Sequence, residues 1–168
     1  SITITQSPVA GTVLSGNGTV QTVTLTVTDA VGNTSTCSFD VTVVDGVNPT
    51  FVSCTPNQNE TPNASCQFVL PDYTSLATVS DNCSITSNVT ITQSPAAGTT
   101  ISGTSNVTLT ATDEAGNTAT CVFQVILTDG TPPTITSGCP ANQTVNADAS
   151  CGYTMTDYTS SITVTDNC

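Results

Sequence analysis

The sequence predicts an all-β chain made of tandem Greek-key sandwiches, and three observations point to this class. Thr, Val and Ile, whose branched side chains favour strands, are abundant throughout the chain. Short stretches that alternate apolar and polar residues are separated by Gly, Pro, Asn and Asp. No stretch shows the 3.6-residue periodicity of an amphipathic helix. One long sequence segment occurs twice.

The repeated segment runs from Thr112 to Pro133, and its earlier copy runs from Thr28 to Pro49. In the later copy Gly116 and Asn117 predict a tight turn, because both residue types tolerate positive φ. The strand after the turn alternates, and the two prolines that follow cannot continue a sheet ladder. Its predicted buried face carries Cys121, Phe123, Val125 and Leu127, and the other face carries Val122, Gln124 and Ile126. The repeated segment therefore predicts the C-terminal end of a domain.

The charge composition excludes several classes of partner. The chain has no Lys, Arg or His and twelve acidic residues, which gives a formal net charge of −12. Such a surface cannot neutralise phosphates, so we expect no nucleic-acid partner and no anionic membrane partner. No apolar run is long enough to predict insertion of this segment into a membrane.

Catalytic chemistry is also disfavoured by the composition. Without His, neither a Ser-His nor a Cys-His pair can form, and no Lys is present to act as a base. The adjacent acids Asp113 and Glu114 lie at the predicted turn, where a solvated loop is the simpler interpretation. We therefore expect that the protein is not an enzyme.

Eight cysteines in an even set, without His and without CxxC pairs, predict disulfides and an oxidising compartment. Self-comparison shows that Cys37 matches Cys121 at an offset of 84 residues. Three further matches at an offset of 85 are Cys54 with Cys139, Cys66 with Cys151, and Cys83 with Cys168. A repeat of this length is the size of a small immunoglobulin-like sandwich.

The phase of the repeat predicts one complete and two partial domains. Residues 1–47 match the C-terminal half of a repeat, residues 48–131 form a complete repeat, and residues 132–168 match the N-terminal half. The predicted strands of the complete repeat are Thr50–Ser53, Cys66–Leu70, Leu76–Val79, Val89–Thr92, Thr99–Ser102, Val107–Thr112 and Thr118–Thr128.

The ordered motifs of the repeat resemble a known family. The complete repeat carries Pro49, Cys54-Thr55-Pro56, Cys66, Asp81-Asn82-Cys83, Thr112-Asp113, Gly116-Asn117, Cys121 and Phe123, and the last segment repeats Cys139-Pro140, Cys151 and Asp166-Asn167-Cys168. This pattern resembles the HYR (hyalin repeat) domain. The residue sequence of the repeat is most similar to HYR arrays in large secreted surface adhesins of Bacteroidota-type bacteria. The resemblance implies immunoglobulin-like domains that serve adhesion and extracellular scaffolding.

Four cysteines allow three pairings, of which we favour one for the complete repeat. Cys54 is expected to bond Cys121, because the first and last strands of a sandwich adjoin. Cys66 is expected to bond Cys83 across a local loop, and by the repeat Cys151 is expected to bond Cys168.

Acidic residues near the predicted linkers and turn are candidate ligands for calcium, which takes six to eight oxygen ligands. The candidates are Asp45 and Asp129 at the linkers and Asp113, Glu114 and Asn117 at the turn. No spacing matches an EF-hand loop, and the simpler interpretation is a solvated linker.

The preferred functional hypothesis is a structural fibre or adhesin stalk, in which partial repeats of neighbouring copies, or of one longer chain, join head to tail. Residues 132–168 of one copy would complete a sandwich with residues 1–47 of the next, and Cys139 would bond Cys37. The alternative hypothesis is a module that binds a surface glycan or a receptor through its loops. Tyr73 and its match Tyr158 are the only repeated candidates for an aromatic platform, and we expect them to be packed instead.

Overall fold

The computed structural model describes residues 1–168 and contains strands and three short 3-10 turns but no α-helix. The 3-10 turns are Thr74–Leu76, Thr86–Asn88 and Thr159–Ser161. The strands are β1 (Thr3–Ser7), β2 (Val20–Thr28), β3 (Thr34–Thr42), β4 (Thr50–Ser53), β5 (Gln58–Glu60), β6 (Phe68–Val69), β7 (Thr78–Ser80), β8 (Thr90–Ser94), β9 (Thr100–Ile101), β10 (Ser105–Thr112), β11 (Thr118–Leu127), β12 (Thr134–Ser137) and β13 (Thr163–Thr165). The chain is therefore all-β, as the residue pattern predicts.

We describe three parts of the chain: a first segment (residues 1–47), a middle segment (48–131) and a third segment (132–168). The first segment forms an antiparallel sheet in the order β1-β2-β3. The third segment contributes the antiparallel pair β12 and β13. The sheet of the first segment and the strand pair of the third segment do not pack against each other, so neither covers the apolar face of the other.

The middle segment contains two layers. One layer is a four-stranded sheet in the order β5-β11-β10-β8, in which only the β5–β11 pair is parallel. The other layer is made of two short antiparallel pairs, β4 with β7 and β6 with β9. Two layers that face one core are consistent with an immunoglobulin-like β-sandwich.

The core lies between these layers and is mainly aliphatic. The inner face of β10 supplies Val107, Leu109 and Ala111, each with no measurable exposure. Phe123 of β11 packs edge-on against Tyr73, with ring centroids 5.1 Å apart. The opposite layer contributes Phe51, Phe68 and Ile101. The expectation that Tyr73 is packed is confirmed, since only 3% of this residue is exposed.

The alternation predicted for β11 is confirmed. Along β11 the side chains of Cys121, Phe123 and Val125 are buried, and those of Val122 and Gln124 are exposed. Side chains on successive residues of a strand point to opposite faces, so this pattern places one face in the core.

The strand predictions need correction at three points. The strand predicted over Leu76–Val79 is observed at Thr78–Ser80, because Leu76 belongs to the 3-10 turn Thr74–Leu76. The structure contains a strand over Gln58–Glu60 that the sequence analysis did not predict, because three polar residues carry no alternation. The strand predicted over Cys66–Leu70 is reduced to Phe68–Val69, because Cys66 adopts a left-handed conformation with φ of 58° and ends a turn.

Leu109→Ala should destabilise the middle segment by about 2–5 kcal/mol, because it leaves a cavity in a fully buried site. Val122→Ala is the matched control, since Val122 lies on the outer face of the paired strand and is 56% exposed. Its effect should stay within about 0.5 kcal/mol. Chemical denaturation of both variants measures the difference, and equal destabilisation would contradict this assignment of faces.

Candidate metal centre and cysteine bridges at the domain junction

The turn between β10 and β11 is organised by the side chain of Asp113. Its Oδ1 atom accepts hydrogen bonds from the backbone N–H groups of Ala115 and Asn117, both at 2.8 Å. Its Oδ2 atom accepts from Asn117 Nδ2, also at 2.8 Å. Gly116 has φ of 91°, whereas Asn117 has no positive φ and acts through its side chain instead. The predicted turn is therefore present, with only one of its two residues in the left-handed region.

The same turn occurs in the first segment, where Asp29 takes the place of Asp113. Its carboxylate accepts from the N–H groups of Val31 and Asn33 and from Asn33 Nδ2. These bonds, led by the one from the Asn33 side chain, lower the pKa of Asp29. The repeat detected in the sequence is thus also a repeat of hydrogen bonds.

A second acidic turn follows β7. Asp81 Oδ2 accepts from the backbone N–H groups of Cys83 and Ser84, at 3.0 and 2.8 Å. The N–H of Ser84 is the main reason that the pKa of Asp81 lies below its ordinary value, and partial burial opposes this effect. The other oxygen, Oδ1, is buried and has no hydrogen-bond partner.

The segment that joins the first and middle segments brings Asp45 to these turns. The backbone N–H of Asp45 donates to Asn17 Oδ1 at 3.0 Å, and its carbonyl accepts from Asn117 Nδ2 at 3.2 Å. Its Oδ1 atom accepts from the N–H of Val47. Asp45 is only 5% exposed, yet its Oδ2 atom has no hydrogen-bond partner.

Asp45, Asp81 and Asp113 form one cluster, which we call the acidic junction. One carboxylate oxygen from each lies within 4.8 Å of those from the other two. The chain has no cationic side chain, so no side chain can neutralise three adjacent carboxylates. Hard oxygen donors, two of them without partners, are the ligand type that Ca²⁺ prefers. The residues present therefore fit this cation.

The structure brings together only part of the predicted calcium set. Asp45, Asp113 and Asn117 meet at the junction. Asp129 is exposed near the other end of the middle segment, and Glu114 Oε1 accepts a hydrogen bond from Asn88 Nδ2. Sequence reasoning missed Asp81, although the repetition of Asp81-Asn82-Cys83 as Asp166-Asn167-Cys168 was a signal that could have found it.

The first cysteine bridge lies inside the middle segment. The structure joins Cys54, next to β4, to Cys121 of β11, with a Cα–Cα distance of 5.9 Å. This is the pair that the sequence analysis expects. The bridge links the two layers beside Phe123, because Cys121 belongs to the inner face of β11.

The second bridge corrects the prediction. Cys66 is bonded to Cys168 of the third segment, with a Cα–Cα distance of 5.3 Å, instead of to Cys83. Consequently Cys151 is not bonded to Cys168, and four cysteines remain exposed thiols. These four are Cys37, Cys83, Cys139 and Cys151.

The physical reason is that Cys66 and Cys83 lie at opposite poles of the middle segment. Cys83 lies beside the acidic junction at the N-terminal pole, where its N–H donates to Asp81 Oδ2. Cys66 lines a small cleft at the C-terminal pole together with Leu127 and Asp129. The ten residues of β11 separate the poles by roughly 30 Å. A disulfide requires Cα atoms within about 7 Å, so the expected local bridge cannot form.

A cleft of about 190 Å³ lies on the first segment. It is lined by Gln6, Pro8 and Gly11 at one side and by Val23 and Val41 of the sheet at the other. Gln6 Nε2 donates to the carbonyl of Pro8 at 3.0 Å. This cleft corresponds to a site that is filled in the middle segment, where Gln93 holds both Pro71 and Tyr73.

The aspartate turns predict the pH dependence of stability. The N–H and hydroxyl of Thr74 lower the pKa of Asp72 below 3.8, and the same groups of Thr159 lower that of Asp157. Because the folded-state pKa is depressed, this stabilisation is complete above pH 3.8 and is lost as the pH falls through the folded value. Melting temperatures measured from pH 7 to pH 2 should therefore fall only in the acid range.

Asp72→Asn is the matched variant, because an amide oxygen accepts the same bonds but does not titrate. The melting temperature of this variant should depend less on pH below 4 than that of the parent chain. An unchanged acid slope would contradict the role of this turn.

Comparison with known families agrees with this architecture. The family model described as the HYR domain matches residues 44–127, which is half of the chain and includes both the acidic junction and the Cys54–Cys121 bridge. Among curated proteins, the comparison finds no match. The HYR domain is an extracellular-type repeat domain, and the structure has no helix long and apolar enough to cross a membrane. The all-β fold, the repeated acidic turns and the matching family model together show that this chain belongs to the HYR domain family.

Proposed function

We propose that the chain is a structural segment of an extracellular fibre or adhesin stalk, in which HYR domains join head to tail. The first segment supplies the C-terminal half of one domain, and the third segment supplies the N-terminal half of another. Residues 132–168 of one copy then complete a sandwich with residues 1–47 of the next. The copies are either neighbouring subunits or consecutive stretches of a longer chain.

The observation that carries this proposal is the uncovered apolar face of the first segment. Val23 pairs with Phe39 in the β2–β3 register, as Val107 pairs with Phe123 in the β10–β11 register. Phe123 is 3% exposed under the opposite layer, whereas Phe39 is 52% exposed, and only its neighbour Val23 is buried on this face, at 8% exposure beside the cleft. An apolar sheet face of this kind needs a second layer to be stable in water.

The cleft on the first segment supports the same conclusion. In the middle segment the N–H of Tyr73 donates to Gln93 Oε1, and Gln93 Nε2 donates to the Pro71 carbonyl. Gln6 matches Gln93 but has no partner of this kind in the first segment. The cleft is thus shaped for a stretch equivalent to Leu70–Tyr73.

The third segment carries the equivalent stretch. Met155 and Tyr158 match Leu70 and Tyr73 at the repeat offset of 85 residues. Leu70 is 1% exposed in the core, whereas Met155 is 73% exposed. The free part of one copy therefore offers the residues that the free part of another copy lacks. Heterologous contacts of this kind generate open fibres when successive copies do not close into a ring.

The alternative function, binding of a glycan or receptor, gains less support from these observations. The cleft on the first segment is accounted for by the missing half-domain, and Tyr73 is buried instead of forming a platform. We likewise propose no catalytic role, since the chain lacks His and Lys. The resemblance to arrays in bacterial surface adhesins supports a place at the cell surface.

Phe39→Asp should abolish head-to-tail assembly, because it places a charge on the face that the partner covers. Val122→Asp is the matched control, since it adds the same charge to an outward-facing residue of similar exposure on the corresponding strand. Electron microscopy and sedimentation should show linear oligomers for the parent chain and the control, and monomers for Phe39→Asp. Equal assembly of both variants would contradict the proposal.

We also propose that the acidic junction binds Ca²⁺. The specific observation is the carboxylate of Asp45, which is almost fully buried and has one oxygen without a partner. Burial of an unpaired charge beside two other carboxylates is unfavourable unless a cation or a proton neutralises it, and a cation can serve all three carboxylates at once. Since Asp45 belongs to the connection between two domains and Asp81 and Asp113 to the next domain, a bound ion would stiffen the connection.

Calcium should raise the melting temperature, and chelation should lower it, because a ligand that binds only the folded state stabilises it. At a concentration 100 times the Kd the gain is about 2.7 kcal/mol. Asp45→Asn should remove most of this response, whereas the control Asp40→Asn changes an exposed carboxylate that bonds only Thr22 and should retain it. Calorimetry with Ca²⁺ or EDTA measures the effect. If neither reagent changes the melting temperature of the parent chain, the site is excluded.

A further inference from the structure

We propose that Cys151 of one copy forms a disulfide with Cys83 of the next copy, so that every junction between adjacent domains carries a covalent bridge beside the polypeptide linker. This inference rests on the head-to-tail arrangement proposed above and goes beyond it, because that arrangement does not require any bond at Cys83. The partner is chemically defined as another repeat of the same kind.

The bridge between Cys66 and Cys168 is the observation from which the proposal follows. It joins the middle segment to the third segment, that is, one repeat to the repeat after it. Cys168 matches Cys83, and Cys66 matches Cys151. A repeating array that forms this bridge at one junction presents the same two cysteine positions at the junction before it and at the junction after it.

Cys66 and Cys151 are held in the same way by their local turns. Their φ angles are 58° and 56°, and these are the only positive values at non-glycine residues. In each case the cysteine N–H donates to the carbonyl three residues earlier, that of Asn63 or Asp148. The side chain of the same residue accepts two further backbone N–H groups. Cys151 is therefore presented to its surroundings as the bonded Cys66 is.

Cys83 and Cys168 also share their setting. Each follows an Asp-Asn pair, and in each the preceding asparagine donates from Nδ2 to the cysteine Sγ, at 3.1 Å for Asn82 and 3.3 Å for Asn167. Cys168 is bonded, and Cys83 is an exposed thiol. Only a cysteine that arrives from a preceding repeat is missing at Cys83.

The poles of the middle segment set the direction of these bonds. Cys66 lies at the C-terminal pole beside Leu127 and faces the following repeat. Cys83 lies at the N-terminal pole beside the acidic junction, where Asp45 arrives from the preceding repeat. A cysteine of the Cys66 type at the C-terminal pole of the preceding domain therefore meets Cys83 across the junction. In the head-to-tail arrangement that cysteine is Cys151 of the previous copy.

The pairing accounts for all eight cysteines. Within a copy the bonds are Cys54–Cys121 and Cys66–Cys168. Between copies the bonds are Cys139–Cys37 and Cys151–Cys83, which use the four exposed thiols. One bond of each pair lies within a domain, and the other links two domains.

Formation of the bridge is a two-electron oxidation. The two thiols lose two protons and two electrons as the S–S bond forms. The disulfide of a thiol–disulfide oxidoreductase, or oxidised glutathione in a test tube, accepts the electrons and protons and is reduced to two thiols. The extracellular setting of the family is compatible with such an oxidant.

Peptide mapping without reduction tests the proposal on the assembled chain. Free thiols are alkylated at acid pH, the chain is unfolded without reductant, and a protease that cleaves before Asp is used because the chain has no site for trypsin. Cys83 and Cys151 are then the only cysteines of peptides 81–112 and 148–156. We expect these two peptides to be linked. Peptide 29–39, with Cys37, should be linked to peptide 129–147, with Cys139.

Two variants separate this bridge from head-to-tail assembly itself. Cys83→Ser should leave Cys151 alkylated while the Cys37–Cys139 link persists, and Cys37→Ser should give the reciprocal result. A parent chain with Cys37 linked to Cys139 but with Cys83 and Cys151 alkylated would overturn the bridge alone. A link from Cys83 to Cys66 would also overturn it. Alkylation at all four positions, together with monomers in sedimentation, would overturn both the bridge and the proposed assembly.

Discussion

The lack of any cationic side chain is the constraint on which the rest of this structure depends. Each carboxylate must find its partner in a backbone N–H group, in an uncharged side chain or outside the chain, because no ion pair between side chains is possible. Asp29, Asp72, Asp113 and Asp148 meet this demand by accepting backbone N–H groups within four residues. These bonds fix the turns, and the turns determine where strands and cysteines are placed. Acidity is thus built into the local geometry of the repeat.

The acidic junction shows where this solution stops being sufficient. Local turns satisfy Asp113, but Asp45 and Asp81 each keep a buried oxygen without a partner. All three belong to the place where one domain meets the next, and Asn17 and Asn117 bind the two sides of Asp45. The same region presents Cys83. Ion binding and covalent bridging would therefore act together on the angle between domains.

The sequence was sufficient to predict the features that arise from local pattern. The alternation in β10 and β11 predicts which residues are buried, since strand periodicity is a property of neighbouring residues. It was insufficient for β5, whose Gln-Asn-Glu sequence pairs with β11 only because the fold brings them together. The prediction of the Cys66 partner was wrong for a related reason. Cys66 and Cys83 are close in sequence, but the fold places them at opposite poles of the middle segment. Asp81 was missed because its distance from Asp45 and Asp113 is set by the fold.

The Cys54–Cys121 bridge has a mechanical consequence for a chain under tension. Force that arrives through the linker reaches Cys54 within a few residues of β4 and crosses the S–S bond to Cys121. The bridge spans a sequence separation of 67, so load that passes along the backbone bypasses most of the domain, and within this structure only the Cys66–Cys168 bond leads force into that loop. Each repeat can then lengthen only by its few residues outside that loop. Even if tension unfolded the core, the contour length of the segment would hardly increase. The disulfide therefore makes the segment nearly inextensible.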